Sequence, residues 1–233
     1  MLVKMIIDGL QKLTLLDYPG KVACLIFTKG CNFRCPFCHN APLVIDKSSA
    51  ANISEEEVFE YLNKRKNILD GVVITGGEPL LQKDIKEFIV KVKSYGYMVK
   101  LDTNGTNPKL LDELIKEGVI DYVAMDVKNT FEKYNITSGC KNVDLDKIRE
   151  SIDLLKNSKI DHEFRTTIVK EFHDISDLEK IMSYVEGSKY FIQNYVDSEN
   201  VIQKGLHGFS KDELITINEQ LQKKFCDFKI RGL

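Results

Sequence analysis

Six short apolar runs separated by amphipathic stretches constrain this chain more than any other feature. The runs are VACLIFT (22–28), VVIT (72–75), MVKLDT (98–103), YVAMDV (122–127), FRTTIV (164–169) and YFIQNY (190–195). Turn residues or polar breaks bound each one, as expected of strands. Helical stripes lie between them. Ser54 and Glu57 form a capping-box pattern ahead of Val58, Tyr61 and Leu62. Leu81, Ile85, Phe88, Ile89 and Val92 repeat at helical spacing up to Gly96, and Pro108 opens a third helix that Gly118 closes. Leu145, Ile148, Ile152 and Leu155 mark a fourth; Leu178, Ile181, Met182 and Val185 mark a fifth. Ser210 and Glu213 repeat the capping pattern ahead of Leu214, Ile217 and Leu221.

This alternation predicts an α/β fold with a parallel sheet, right-handed crossovers and outer helices. Nearly continuous apolar strands fit burial on both faces. A closed eight-unit barrel leaves no room for the leading segment and for loop 30–42, so a partial (β/α)6 barrel is expected. The expected organisation is one domain over 1–233. It comprises a leading segment (1–21), a (βα)6 core (22–200) and a C-terminal helix and tail (201–233).

In such sheets, chemistry gathers where strands end. After the first run comes GCNFRCPFCHNAP, which puts Cys31, Cys35 and Cys38 within eight residues. After the second comes Gly76-Gly77-Glu78-Pro79. Asp102-Thr103-Asn104-Gly105 closes the third run, Asp126 and Lys128 close the fourth, and Arg165 lies at the start of the fifth. A closed structural zinc site takes four protein ligands, and most iron–sulfur clusters take four thiolates. Three thiols leave one metal corner free. His39 as a fourth ligand would make a Cys3His zinc site, but that leaves the Gly-Gly-Glu-Pro turn and the strand-end acids without a role. Cys24, Cys140 and Cys226 are dispersed and read as ordinary small side chains.

Lys plus Arg number 33 and Asp plus Glu 35, so no net basic field argues for nucleic acid. No apolar run approaches the roughly 18 residues of a membrane helix. The start, MLVKMIIDGLQKL, is too broken by Lys4 and Asp8 for a signal peptide. A cytoplasmic location is therefore expected, where a cysteine cluster points to metal or catalysis and not to disulfides.

The Cys31-x3-Cys35-x2-Cys38 loop, followed by Gly-Gly-Glu-Pro, resembles the radical S-adenosylmethionine (SAM) enzymes over nearly the whole chain. Asp17-Tyr18-Pro19-Gly20 before the first strand and Cys38-His39-Asn40 after it narrow the resemblance to the glycyl-radical-enzyme activases. It is nearest to those serving anaerobic ribonucleoside-triphosphate reductase.

The resemblance implies a 4Fe–4S cluster held by Cys31, Cys35 and Cys38, with SAM chelating the open iron. One electron cleaves the sulfonium, and the resulting 5′-deoxyadenosyl radical removes the α-hydrogen of a glycine in a partner enzyme. Gly76 and Gly77 let backbone approach the methionyl amine, and Glu78 offers an acceptor. Asp102 and Asp126, helped by Thr103, lie near the SAM carboxylate with a monovalent cation between them. Lys128 pairs with the same carboxylate or forms a surface ion pair with Asp126. Arg165 reaches ribose or carboxylate. Phe37 backs the adenine or packs the loop, and Asp17 holds the incoming glycine backbone or caps a turn.

The formate-lyase branch places a histidine after the sixth strand. Here Gln193-Asn194-Tyr195 stands instead, with Asn194 as the substitute hydrogen-bonding group. Residues 40–54 are short and free of cysteine, so electrons come from outside, from a flavodoxin or ferredoxin. The alternatives are a formate-lyase-type activase, a small-molecule radical SAM enzyme such as a deazaguanine-forming synthase, and a simple electron carrier.

Overall fold

A computed structural model describes residues 5–45 and 52–233. One eight-stranded sheet runs in sequence order: β1 (Ile7–Thr14), β2 (Ala23–Thr28), β3 (Gly71–Gly76), β4 (Met98–Thr103), β5 (Tyr122–Asp126), β6 (Asp161–Ile168), β7 (Lys189–Asn194) and β8 (Phe228–Arg231). β1 is antiparallel to β2, and every other neighbouring pair is parallel. Residues from β3 to β7 line one cavity at the C-terminal strand ends, so the sheet curves into a partial barrel.

The six expected strands are β2–β7. The leading segment and the tail are not mere appendages, since they contribute β1 and β8 to the same sheet. Both are edge strands. β1 is half exposed with little alternation, and β8 has only four residues. Their patterns are weak because one edge of each is not buried by a further strand.

Five long helices pack outside: α2 (Glu55–Lys64), α3 (Ile85–Ser94), α4 (Pro108–Lys116), α6 (Leu145–Asn157) and α7 (Ile175–Tyr184). Two short ones, α1 (Ala41–Ile45) and α5 (Tyr134–Ser138), fall below the length at which a stripe is visible. α8 (Lys211–Leu221) returns the chain to β8. The expected capping boxes close reciprocally, with Ser54 on Glu57 and Ser210 on Glu213. A third, Asp174 with Asp177, starts α7. Each satisfies donors that a helix start leaves unpaired. Among the described residues no helix is long and apolar enough to cross a membrane.

Strand alternation divides the buried side chains. Cys24, Ile26, Val72, Ile74, Val99, Leu101, Val123, Met125, Phe164 and Ile192 face the helices in one buried cluster that runs from Met5 to Ile230. Ala23, Leu25, Val73 and Tyr122 fill the concave side with Tyr18. Tyr18 stands at the strand N-termini, its ring 6.0 Å from that of Tyr122 and against Gly71 at the start of β3. It plugs the end of the barrel opposite the cysteines.

Candidate active site

The thiol loop leaves β2 at Thr28, and the β3 turn fixes its path. The Gly77 N–H donates to the Thr28 carbonyl (2.9 Å) and the Glu78 N–H to the Gly30 carbonyl (2.8 Å). Asn40 Nδ2, at the far end of the loop, reaches the Gly76 carbonyl at 3.4 Å. Further contacts pin the middle: the Arg34 N–H donates to Ser138 O and the Gln203 N–H to Pro36 O, each at 2.8 Å. The loop is thus held at both ends by the two glycines, and a side chain at either would strike Thr28 or Gly30 backbone.

Cys31, Cys35 and Cys38 all line a cavity of about 260 Å³ with Gly76, Gly77, Asp102, Asp126, Lys128 and Arg165. Burial pushes the Cys31 thiol up to about 11 and that of Cys35 up to about 12; it raises Cys38 as well. The Phe33 N–H, 3.3 Å from Cys31 Sγ, opposes the shift at Cys31, and Lys128 opposes it at Cys35.

Facing the thiols is a tight charge network. Arg165 Nε binds Asp126 Oδ1 (2.9 Å), and its NH1 reaches Asp102 Oδ2 (3.3 Å). Lys128 Nζ binds Asp126 Oδ2 (3.0 Å), and Lys100 Nζ binds Asp102 Oδ1 (2.5 Å). Burial alone would raise both carboxyls. Arg165 with Lys128 outweighs it at Asp126, and Arg165 with Lys100 outweighs it at Asp102, so both are held below the usual carboxylate range. Asp126 in turn holds Lys128 charged against its own burial. Lys128 is therefore more than a surface ion pair, because it is largely buried and shares the cavity with the thiols.

Several expected residues stand elsewhere. Glu78 is buried beneath the mouth and does not line the cavity. Its Oε1 accepts from the Leu80 N–H (3.1 Å) and Thr103 Oγ1 (2.8 Å), and its Oε2 accepts from the Asn104 N–H (2.7 Å). Burial pushes its carboxyl up to about 7 against the pull of these donors. Glu78 thus ties the β3 and β4 turns together, and Thr103 spends its hydroxyl on it.

Asn194 also turns away. Its Nδ2 donates to the Phe209 carbonyl and its Oδ1 accepts the Phe209 N–H, both at 2.8 Å. The inward neighbour is Gln193, which lines the cavity with Thr167. Asp17 lies at the opposite end, exposed beside Tyr18, and accepts from Thr14 Oγ1. Phe37 lines the cavity, but its ring packs on Phe172 and His173.

His39 Nε2 meets the Val196 carbonyl (2.6 Å), and its ring stacks on Tyr195. His173 is buried, with Nε2 2.9 Å from the Lys128 carbonyl. It fixes the backbone that carries Lys128. Sequence reasoning gave no role to Lys100 or Asn104.

The donor set fits a cluster better than a single ion. Among the described residues no three His, Cys, Asp or Glu side chains close around a single-ion site. The three soft thiols border a wider cavity instead, as a multi-iron cluster requires.

A partial barrel with three thiols and a polar ring at one mouth defines a recognisable class, and the sequence matches the Radical SAM superfamily over residues 25–185. The chain belongs to that superfamily. It is 39% identical over 198 residues to MJ1227 of Methanocaldococcus jannaschii, covering 83% of this chain and 81% of that one. MJ1227 is provisionally named a glycyl-radical enzyme activating enzyme. A GTP 3′,8-cyclase of Campylobacter jejuni is 29% identical over 198 residues, covering 83% of this chain and 61% of its own. Among solved structures, Streptococcus suis SuiB bound to S-adenosylmethionine superposes with a TM-score of 0.68 at 15% identity over 87% of this chain. The chain spans 48% of SuiB, and the likeness is one of fold.

Proposed function

We propose that this protein is a glycyl-radical-enzyme activase, and that its partner is an anaerobic ribonucleoside-triphosphate reductase. One observation carries the reading: the three thiols, the Gly76–Gly77 turn and the Asp102–Asp126–Lys128–Arg165 network share one cavity. The name of MJ1227 supports the activase class. Gln193 and Asn194 at the end of β7, where the formate-lyase branch has a histidine, favour the reductase branch.

Cys31, Cys35 and Cys38 would hold the 4Fe–4S cluster and leave one iron to SAM. Bound there, the two supply a one-electron reductive cleavage of the sulfonium and hydrogen abstraction from the substrate. The chain's own residues set the conditions. The Phe33 N–H donates toward Cys31 sulfur, and such bonds tune cluster potential. Lys128 and Arg165 present positive charge to an anionic group of SAM. Reactants held in contact there would gain much of their rate from positioning. Tyr18 closes the far end of the barrel against water, as a radical reaction demands. The electron donor in this reading is a flavodoxin or ferredoxin, and the location is the reducing cytoplasm.

The matched GTP 3′,8-cyclase favours a second reading, a small-molecule radical SAM enzyme. One experiment separates the two. The anaerobically reconstituted protein is mixed with SAM, dithionite and a candidate reductase. An activase yields 5′-deoxyadenosine together with the doublet of a glycyl radical. A protein that forms 5′-deoxyadenosine but never the doublet, with any glycyl radical enzyme of its source, is not an activase.

A further inference from the structure

The resemblance asks for a monovalent metal ion between Asp102 and Asp126, and the site does not fit one. Each of the four carboxylate oxygens already faces a protein cation: Asp102 Oδ1 meets Lys100, Asp102 Oδ2 and Asp126 Oδ1 meet Arg165, and Asp126 Oδ2 meets Lys128. Two carboxylates thus stand against three cations. A metal ion would raise the positive excess and would compete with these cations for the same oxygens.

Lys100 is the unexpected member. Its side chain is 1% exposed inside a barrel strand, a costly place for a charge unless it is paired. It lies two residues before Asp102 on β4, so both face the barrel interior. Its stem runs up the wall and delivers Nζ to Asp102 from below. The Tyr122 ring, 5.9 Å away, lies within range of the ammonium. An ammonium is a compact point charge with three donors, close in kind to an alkali-metal ion.

We propose that the Lys100 ammonium is the resident counter-cation of the Asp102–Asp126 pair, and that this protein binds SAM without Na⁺ or K⁺. Lys100 is a positioning residue. It neutralises Asp102, so that Arg165 and Lys128 keep charge to spare for the SAM carboxylate. The inference rests on the SAM-binding reading above, and its test keeps the two apart.

SAM affinity of the anaerobically reconstituted protein is measured by equilibrium dialysis in KCl, NaCl and choline chloride at matched ionic strength, since salt screens exposed charge in any case. Wild type should bind equally in all three. Lys100→Ala in choline should lose on the order of tenfold or more in affinity, as when one partner of a buried charge pair is truncated. K⁺ or Na⁺ should restore part of that loss by entering the vacated space, a response that a merely structural lysine would not give. Lys100→Met refills the volume without the charge, so it should bind weakly in every salt. It also decides the matter if Lys100→Ala does not fold. Thermal unfolding of the cluster-free variants gives a readout apart from activity: K⁺ should stabilise Lys100→Ala and leave wild type unmoved.

Wild type that needs K⁺ or Na⁺ overturns the assignment, and so does a Lys100→Ala or Lys100→Met protein that binds SAM as wild type does. Wild type that binds no SAM in any salt overturns the functional reading itself.

Discussion

A Cβ placed on Gly77 would lie 1.9 Å from the carbonyl oxygen of Gly30. The turn after β3 and the start of the thiol loop are therefore in backbone contact, and the Glu78 N–H seals it with a bond to that same carbonyl. Real Cβ atoms do not come so close to backbone, so any side chain at 77 displaces the loop bearing Cys31. Gly77→Ala should fold but bind markedly less iron per chain after reconstitution. Gly9→Ala is the control, because its Cβ would make only an ordinary 3.5 Å contact with Phe27. Equal iron content in the two variants would show that the contact does not govern the loop.

Glu78 holds the next layer. Three donors converge on its carboxylate from Leu80, Thr103 and Asn104. Glu78→Gln replaces one acceptor oxygen with an N–H₂ group that faces a donor. Leaving a buried polar group unsatisfied costs about 1–3 kcal/mol. Urea denaturation of the cluster-free protein should show a loss of that order. A stability within about 0.5 kcal/mol of wild type, the range of a neutral surface change, would remove Glu78 from the scaffold.

These two residues show how far the sequence could be read. The Gly-Gly-Glu-Pro turn was visible at the right strand end, and so were the six core strands, because buried parallel strands are written as apolar runs. The direction in which Glu78 points was not visible. A turn glutamate can face solvent, ligand or floor, and only the donors of β4 and its turn decide which. Asn194 and Gln193 raise a different difficulty. Side chains alternate along β7, so a phase error of one residue exchanges mouth for wall. The pairing of Phe191 with Arg165 fixes that phase, and no local pattern reports it. Lys100 was within reach, being two residues before Asp102 on the same face. A lone lysine in a strand carries no local mark of burial, since its partners Asp102 and Tyr122 are set by the strand's phase and by the neighbouring strand. Asp17 sits in a turn that the chain carries to the far end of β2, a consequence of β1 that the weak edge-strand pattern concealed.

Asn194 and Gln193 should accordingly separate in their effects. Asn194→Ala removes two hydrogen bonds to the Phe209 backbone and leaves both backbone groups short of a partner. A loss of roughly 1–3 kcal/mol in stability with little change in SAM affinity is expected. Gln193→Ala should do the reverse, weakening SAM binding while the urea midpoint stays in place. The opposite assignment of the two effects would mean that β7 presents the other face to the cavity.

Asp126 gives the fold an acid dependence. Its carboxyl is depressed in the folded state because Arg165 and Lys128 outweigh the penalty of burial. A depressed folded pKa contributes stability that is fully present above the unfolded value, about 3.9 for aspartate, and is lost as pH falls through the folded value. The urea midpoint of the cluster-free wild type should fall steeply below about pH 4. Asp126→Asn has no carboxyl to protonate at this position, so it should start lower at neutral pH and decline less. Parallel curves for the two proteins would remove the network from the account of acid stability.

The central claim is that three thiolates leave one iron of the cluster for SAM, and electron–nuclear double resonance tests it most directly. The reduced, reconstituted protein is mixed with SAM carrying ¹⁵N on its amine and ¹⁷O on its carboxylate. The arrangement of Cys31, Cys35 and Cys38 predicts hyperfine coupling to both labels, and its loss when unlabelled SAM replaces the labelled form. A cluster that shows no coupling to either label, with all four irons already ligated by the polypeptide, would contradict it.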